Sequence, residues 1–272
     1  MKISVCYFLH DEADLIEESL ASIFNLTKYD IHLSIYLTSG IFNQKVYDIA
    51  KLMNVRYGGD LHCKFQNFPS QCANSFLRDS YYVKNFDIAF VGSPDYRFLG
   101  VGEFDSFIDK ASEFIDNKFY IASTRYINDG AVFQAGIYTK FGIEKIGYLD
   151  QNFIPNESSD TDYHYRCSLF YKEDPAQLLN KSYRQDIICK STHHNHHYYE
   201  NGSSPPIRDI NRYLQNTFIF NPINVAYFKQ KWGAAKEYKT PFNNPKYDLR
   251  IKWEDVTNPY PREFFNPITP FF

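Results

Sequence analysis

Residues 2–24, KISVCYFLHDEADLIEESLASIF, decide the fold class, because an apolar run passes directly into an amphipathic segment. The run at 2–9 predicts a buried strand. The segment at 11–24 has acidic residues in its first turn and carries Leu15, Leu20 and Ile23 on one face, which predicts a helix. A strand followed at once by a helix indicates an α/β sheet.

The same alternation continues through the first half of the chain. Further strands are predicted at 31–37 and 88–91, and further helices at 43–54 and 71–84. This pattern predicts an α/β fold with a mostly parallel central sheet flanked by helices. Ligands of such sheets bind beyond the carboxyl ends of the strands, so the loops after Leu9, Leu37 and Val91 are the places to search. There is neither a GxGxxG nor a GxxxxGK[ST] motif, which argues against an ordinary dinucleotide site or P-loop.

The amino-acid composition changes near residue 205, where SSPPIRD begins a segment rich in Pro and Asn. We predict one helix near 208–217, followed by extended segments that wrap over the main body. The expected organisation is therefore a domain at 1–205 and a C-terminal extension at 206–272 packed on it.

Composition excludes several classes of protein. Hydrophobic residues make up 44% of the chain and charged residues 22%, which predicts a packed core. The net charge of -3 argues against a nucleic-acid binder. Five scattered cysteines without CxxC spacing predict thiols in a reducing, cytoplasmic compartment. No apolar run approaches the ~20 residues of a membrane span, so we expect any membrane contact to be peripheral.

Two segments offer ligands for a metal ion. In FVGSPDYRF, residues 90–98, Asp95 follows a predicted central strand, where a carboxylate can hold Mg²⁺ or Mn²⁺ on a phosphate. An ordinary Ser-Pro-Asp turn is the alternative interpretation. In STHHNHHYYENGSS, residues 191–204, the four histidines of the run His193–His197 offer imidazole ligands or phosphate donors, and a solvated polar loop is the alternative.

Two further segments carry polar residues at predicted helix starts. NESSDTDYHYRC, residues 156–167, holds Asp160 and Asp162, and a carboxylate of this kind can accept a proton from a substrate. The SDTD pattern is also a capping box that starts a helix. In NFPSQCANSF, Asn67 and Asn74 flank a predicted helix start, where an N-cap asparagine is the alternative to a binding role.

Together these segments resemble the family 2 glycosyltransferases. Residues 3–23 resemble the family's first strand and helix, NFPSQCAN its Asn-x-Gly…Asn element with Pro69 for the glycine, and FVGSPD its DXD motif with only Asp95 kept. The most specific likeness is GIYTKFGIEKIGYLDQNFIPNESSDTDYHYRC, residues 136–167, and YFKQKWGAAKEYKTPF looks like a KWGG…PF tail seen in some bacterial and viral members.

The resemblance implies a GT-A, Rossmann-like fold and an inverting hexosyltransferase that moves a sugar from a nucleotide-sugar to a glycan or other hydroxyl acceptor. Asp160 would be the general base, and Asp95 with His194 or His196 would hold Mn²⁺ or Mg²⁺. Residues 1–100 would bind the donor and 101–205 the acceptor. The implied donor-binding residues are His10, Glu12, Asn67, Asn74, Ser93 and Asp95, and Asp162, Arg166 and Trp232 would lie at or behind the acceptor site.

Two other functions fit parts of the sequence. A metal-dependent hydrolase would use the His193–His197 cluster with Asp160 and Asp162, although HHNHH lacks HExxH or HxHxDH spacing. A non-catalytic glycan- or nucleotide-binding module would keep the fold and bind without turnover. Tightly bound zinc would favour the hydrolase, and turnover of a labelled donor would exclude the module.

Overall fold

The computed structural model describes residues 1–9, 15–38, 43–63, 69–94, 96–124, 135–153, 159–172, 183–189, 191–193, 221–232 and 250–254. The strands of its main sheet are β1 (Lys2–Leu9), β2 (Asp30–Leu37), β3 (Gly59–Cys63), β4 (Ile88–Gly92), β6 (Tyr120–Thr124), β7 (Gly136–Tyr138) and β8 (Arg184–Ile188). Two short strands, β5 (Tyr96–Phe98) and β9 (Ser191–His193), form a separate antiparallel ribbon.

Helices lie between these strands and after them. They are α1 (Ile16–Phe24), α2 (Gln44–Tyr57), α3 (Pro69–Arg78), α4 (Glu103–Ala111), α5 (Lys140–Ile146), α6 (Ser159–Phe170) and α7 (Asn221–Trp232). The chain continues from α3 into a π-helical turn at Asp79–Val83.

The seven-stranded main sheet has the order β3-β2-β1-β4-β7-β6-β8. Neighbouring strands are parallel except around β7, which runs antiparallel to both β4 and β6. The prediction of an α/β fold with a mostly parallel sheet is therefore confirmed. The carboxyl ends of all the parallel strands meet at one edge, and we call this the carboxyl edge of the sheet.

Apolar side chains pack on both faces of the sheet, as alternation along β1 requires. Ile3, Val5 and Tyr7 join the core cluster that contains buried residues of α1, α2 and α4. Cys6 joins the opposite cluster, with buried residues of α3, α5 and α6. The sheet is thus covered by helices on both sides.

The structure corrects three details of the predicted elements. Helix α1 begins at Ile16 rather than at residue 11, and the predicted helix at 71–84 consists of α3 and the π-helical turn. The prediction of extended segments after residue 217 is wrong for α7. Pro222 lies in the first turn of α7, where its missing N–H breaks no helical hydrogen bond. The helix predicted near 208–217 lies outside the described residues.

None of the five cysteines forms a disulfide. In the described part of the chain, no helix combines the length and apolar character that crossing a bilayer requires.

Candidate active site

A tight turn follows β4 at the carboxyl edge. The N–H of Tyr96 donates to the carbonyl of Ser93 at 3.0 Å, which closes the turn that contains Asp95 in the sequence. Gly92 leads into it and packs against Tyr7, because a Cβ at Gly92 would lie 2.8 Å from the Tyr7 ring. Asp95 itself lies outside the described residues.

Ser19 of α1 binds this turn through hydrogen bonds of its side chain. Its Oγ lies 2.8 Å from the Tyr7 hydroxyl and donates to the carbonyl oxygens of Ser93, at 3.2 Å, and of Tyr96. Ser19 is buried, so these hydrogen bonds are shielded from water. Helix α1, strand β1 and the turn after β4 are thereby held as one unit.

The ribbon of β5 and β9 brings the backbone of His193 beside the same turn. Tyr96 pairs with His193 across the ribbon, and His193 is the first residue of that run. The Tyr96 hydroxyl donates to the carbonyl of Ser123 at 3.1 Å and lies 3.6 Å from the sulfur of Cys189, so the ends of β6 and β8 adjoin the turn as well. His194 and His196, the predicted metal ligands, lie outside the described residues.

Asp160 lies in the first turn of α6 and is half-buried. Its Oδ1 accepts the N–H of Thr161 at 2.7 Å. Burial raises the pKa of Tyr138 well above its ordinary value, and the neighbouring Tyr120 and the negative charge of Asp160 add to the effect. Burial, Asp186 and Asp160 likewise raise the pKa of Tyr120. Asp160 therefore acts electrostatically on two protonated phenols of β6 and β7.

Asp162 does not form the predicted capping box. Its Oδ2 accepts from Arg166 Nε at 2.9 Å, and its Oδ1 accepts from Trp232 Nε1 at 2.9 Å and from Lys231 Nζ at 2.6 Å. Among the described residues these are its partners. Asp162 is fully buried, and a buried carboxylate without charged partners costs more free energy than a capping bond at the helix start contributes. Asp162 thus ties α6 to α7.

Arg166 extends the contact from Asp162 to the chain after α5. It is fully buried, and its Nη1 and Nη2 donate to the carbonyl oxygens of Ile146 and Tyr148 at 2.9 and 2.8 Å. Arg166 is an internal support, and an acceptor-binding role for it stays a prediction.

Lys231 joins a second buried carboxylate to the first. Its Nζ donates to Asp150 Oδ2 at 2.5 Å and also contacts Asp162. The Tyr227 hydroxyl donates to the same Asp150 oxygen at 2.9 Å, and the Asn152 side-chain amide donates to Oδ1 at 2.9 Å. Burial alone would raise the pKa of Asp150, but Lys231 and the hydrogen bonds of Asn152 and Tyr227 hold that pKa below its ordinary value. Asp150 is therefore a charged carboxylate at neutral pH.

Asn74 lies in the interior of α3 and is fully buried. Its side-chain amide donates to the carbonyl of Leu149, and its side-chain oxygen accepts the N–H of the same residue, both at 2.9 Å. This pair of bonds fastens α3 to the segment before Asp150. Contact between Asn74 and a nucleotide stays a prediction. Contact between Ser93, in the turn after β4, and a nucleotide also stays a prediction.

The remaining predicted donor-binding residues, His10, Glu12 and Asn67, lie outside the described residues. The described part of the chain contains no group of three His, Cys, Asp or Glu residues that could hold a metal ion. Sequence reasoning missed the supporting roles of Ser19, Asp150 and Lys231. Asp150 stands in the mostly apolar run GYLDQNF, and a charge in such a run is the signal of a buried partner.

No family model and no curated protein sequence matches this chain. Among solved structures, it is similar to a mannosyltransferase of Pyrobaculum calidifontis in complex with GDP-Man and Mn²⁺, with a TM-score of 0.49, 10% identity and coverage of 69% of this chain and 55% of that chain. It is also similar to S. aureus TarS in complex with UDP, with a TM-score of 0.47, 10% identity and coverage of 69% of this chain and 58% of that chain.

A third similar structure is the glycosyltransferase GlyE of Streptococcus pneumoniae TIGR4, with a TM-score of 0.45, 13% identity and coverage of 89% of this chain and 65% of that chain. The chain thus spans less than two thirds of the length of each of these three proteins. All three TM-scores are below 0.5, so the likeness by itself assigns no activity to this chain.

Proposed function

We propose that this chain is a glycosyltransferase of the family 2, GT-A type, which moves a hexosyl group from a nucleotide-sugar to a hydroxyl of a glycan acceptor with inversion. The observation that carries the proposal is the pairing of Tyr96 with His193 at the carboxyl edge. This pairing joins Tyr96, which directly follows the segment that resembles the DXD motif, to His193, the first residue of the histidine run, although the two residues are far apart in the sequence.

In the proposed reaction the acceptor hydroxyl attacks the anomeric carbon while the bond from that carbon to the diphosphate breaks. Asp160 accepts the hydroxyl proton, which makes the oxygen a better nucleophile. Inversion requires attack from the face opposite the leaving group, so the base and the diphosphate site lie on opposite sides of the sugar.

Asp95 and His194 or His196 would hold the divalent metal, for which carboxylate oxygen and imidazole nitrogen are suitable ligands. The metal would neutralise the charge that develops on the departing diphosphate. In the described residues, Ser19, Tyr7 and the ribbon supply a fixed frame for the turn that contains Asp95. Residues 1–100 form the donor half and 101–205 the acceptor half in this proposal.

The decisive variant is Asp160→Asn. We expect it to bind a nucleotide-sugar as the wild type does, and to lose transfer by about 100-fold or more, because the base is gone. Asp116→Asn, at an exposed acid, is the matched control and should keep full activity. Full activity of Asp160→Asn would disprove the role of Asp160.

Donors can be screened by thermal shift with UDP-, dTDP- and GDP-sugars, each with and without Mn²⁺. Asp95→Ala should weaken nucleotide binding only when Mn²⁺ is present, and equal calorimetric affinities in both conditions would contradict the metal role. Turnover of a labelled donor separates the enzyme from a binding module, and zinc that survives purification would favour the hydrolase.

A further inference from the structure

Helix α7 belongs to the C-terminal part of the chain, yet its last turn reaches the helix that carries Asp160. Lys231 and Trp232 are both almost fully buried, and both donate to the same oxygen of Asp162. Few surface helices end with a lysine and a tryptophan in the protein interior, since lysine is among the residues least often buried.

The contact lies directly behind Asp160. Asp162 is two residues further along α6, which turns it about 200° around the helix axis and advances it about 3 Å along that axis. Asp162 is accordingly buried, whereas Asp160 is half-buried. A bond to Asp162 from α7 therefore fixes the rotation and the height of the turn from which Asp160 projects.

A second C-terminal segment holds the other end of the same network. The N–H of Ile251 donates to the carbonyl of Ile146, and the N–H of Tyr148 donates to the carbonyl of Ile251. Arg166 of α6 donates to the carbonyl oxygens of Ile146 and Tyr148 as well. The segment 146–150 is thus held between α6 and the C-terminal part of the chain.

The chemistry of the network favours a geometric role over a purely stabilising one. Among the described residues, the two carboxylates Asp150 and Asp162 face the two cations Lys231 and Arg166, so the charges of these four groups balance. Well-packed apolar side chains often stabilise a core as much as buried ion pairs do. Charged groups add direction, because each hydrogen bond accepts only a narrow range of angles.

We infer that Lys231 and Trp232 are positioning residues for Asp160, and that the C-terminal part of the chain is thereby a working part of the transferase centre. This inference rests on the proposed function. It predicts that weakening the bonds from α7 to Asp162 lowers kcat while donor binding is retained.

The test uses the full chain with two variants. Asp150→Asn/Lys231→Met removes one charge of each sign and leaves the pair of Asp162 and Arg166, so we expect the variant to fold. Trp232→Phe removes the indole N–H and keeps most of the apolar ring. Ile108→Ala, in the core cluster on the other face of the sheet, is the control for a loss of stability without contact to α6.

Two readouts are measured at a temperature at which every variant is folded. The first is steady-state release of nucleoside diphosphate from the donor that gives the largest thermal shift, with water as the acceptor. The second is hydrogen exchange of the α6 amides 163–166. We expect the double variant to lose kcat by at least about tenfold with an unchanged KM for the donor, and its α6 amides to exchange faster. Trp232→Phe should change both in the same direction by less, and Ile108→Ala should change neither.

Each other outcome overturns one proposal. If kcat and exchange in the double variant stay within about twofold of the wild type, the positioning role is wrong although the transferase stands. Faster exchange with an unchanged kcat also overturns it, because α7 would then stabilise α6 without serving Asp160. If no UDP-, dTDP- or GDP-sugar binds the wild type, the proposed function fails, because turnover with water alone does not measure transfer to a glycan hydroxyl. An unchanged exchange rate in the double variant would overturn the coupling of α7 to α6 as well.

Discussion

Replacing Asn74 by alanine separates a binding residue from a supporting one. The sequence likeness assigns Asn74 to the nucleotide-sugar, whereas in the structure both ends of its side-chain amide bond to the backbone of Leu149. The two hydrogen bonds span 75 residues and are fully buried. Alanine would leave the N–H and the carbonyl of Leu149 without these partners.

The size of the effect follows from those two groups. An unsatisfied buried donor or acceptor costs about 1–3 kcal/mol, so the pair predicts a loss of about 2–6 kcal/mol in the free energy of unfolding. A loss of 3 kcal/mol corresponds to about 6–12 °C in Tm for a protein of roughly this size. Replacing an asparagine that is exposed at the surface would rarely lower the free energy of unfolding by so much.

Urea unfolding and calorimetric titration with UDP or GDP measure the two roles separately. We expect Asn74→Ala to lose stability as above while the nucleotide affinity of the folded protein stays within about twofold of the wild type. Asn117→Ala, at an exposed asparagine after α4, should change neither quantity. A Tm within about 2 °C of the wild type, together with a tenfold weaker nucleotide affinity, would refute the supporting role.

Three further changes test other parts of the structure. Gly147→Ala should destabilise the protein by about 1–3 kcal/mol and expose the chain near 251 to proteases. The reason is that Gly147 has a φ of 83° and that a Cβ there would lie 1.9 Å from the carbonyl oxygen of Ile251. Equal rates of proteolytic cleavage in the variant and the wild type would contradict this. Asp150→Asn should make the free energy of unfolding depend less on pH in the acid range. The folded pKa of Asp150 is lowered, so its contribution to stability is present above about pH 4 and is lost as the pH falls through the folded pKa. Urea midpoints of the variant and the wild type that fall in parallel between pH 7 and pH 3 would be the contrary result. Ser19→Ala should cost about 1–2 kcal/mol in urea unfolding, because it removes the donor to the carbonyl of Tyr96, and an unchanged midpoint would show that the turn after β4 does not depend on it.

The first half of the fold could be predicted from the sequence because its signals are local. The strands expected at 2–9, 31–37 and 88–91 are Lys2–Leu9, Asp30–Leu37 and Ile88–Gly92. Each is a run of apolar residues whose burial does not depend on a particular partner. Strand β3 was missed, since GDLHC is short and half polar and is ordered by pairing with β2.

The supports of the candidate site could not be predicted in this way. Asp150 and Lys231 are 81 residues apart, and Asp162 and Trp232 are 70 apart. No periodic pattern links positions so distant in the sequence. The SDTD capping box shows the consequence, because this local pattern predicted a bond from Asp162 to the helix start, whereas Asp162 bonds to Arg166 of its own helix and to Lys231 and Trp232 of α7.

The contrast between Asp160 and Asp162 explains why sequence patterns identify the candidate base more readily than its support. Asp160 is half-buried, and its proposed role needs only a carboxylate at the start of a helix, which a motif can specify. Asp162 is fully buried and needs two cations and an indole at fixed angles, which only the folded chain can specify. A motif that retained Asp160 without a lysine and tryptophan at the end of α7 would therefore place the candidate base on a helix that lacks these two bonds from α7. The proposed loss of kcat in Asp150→Asn/Lys231→Met measures that dependence.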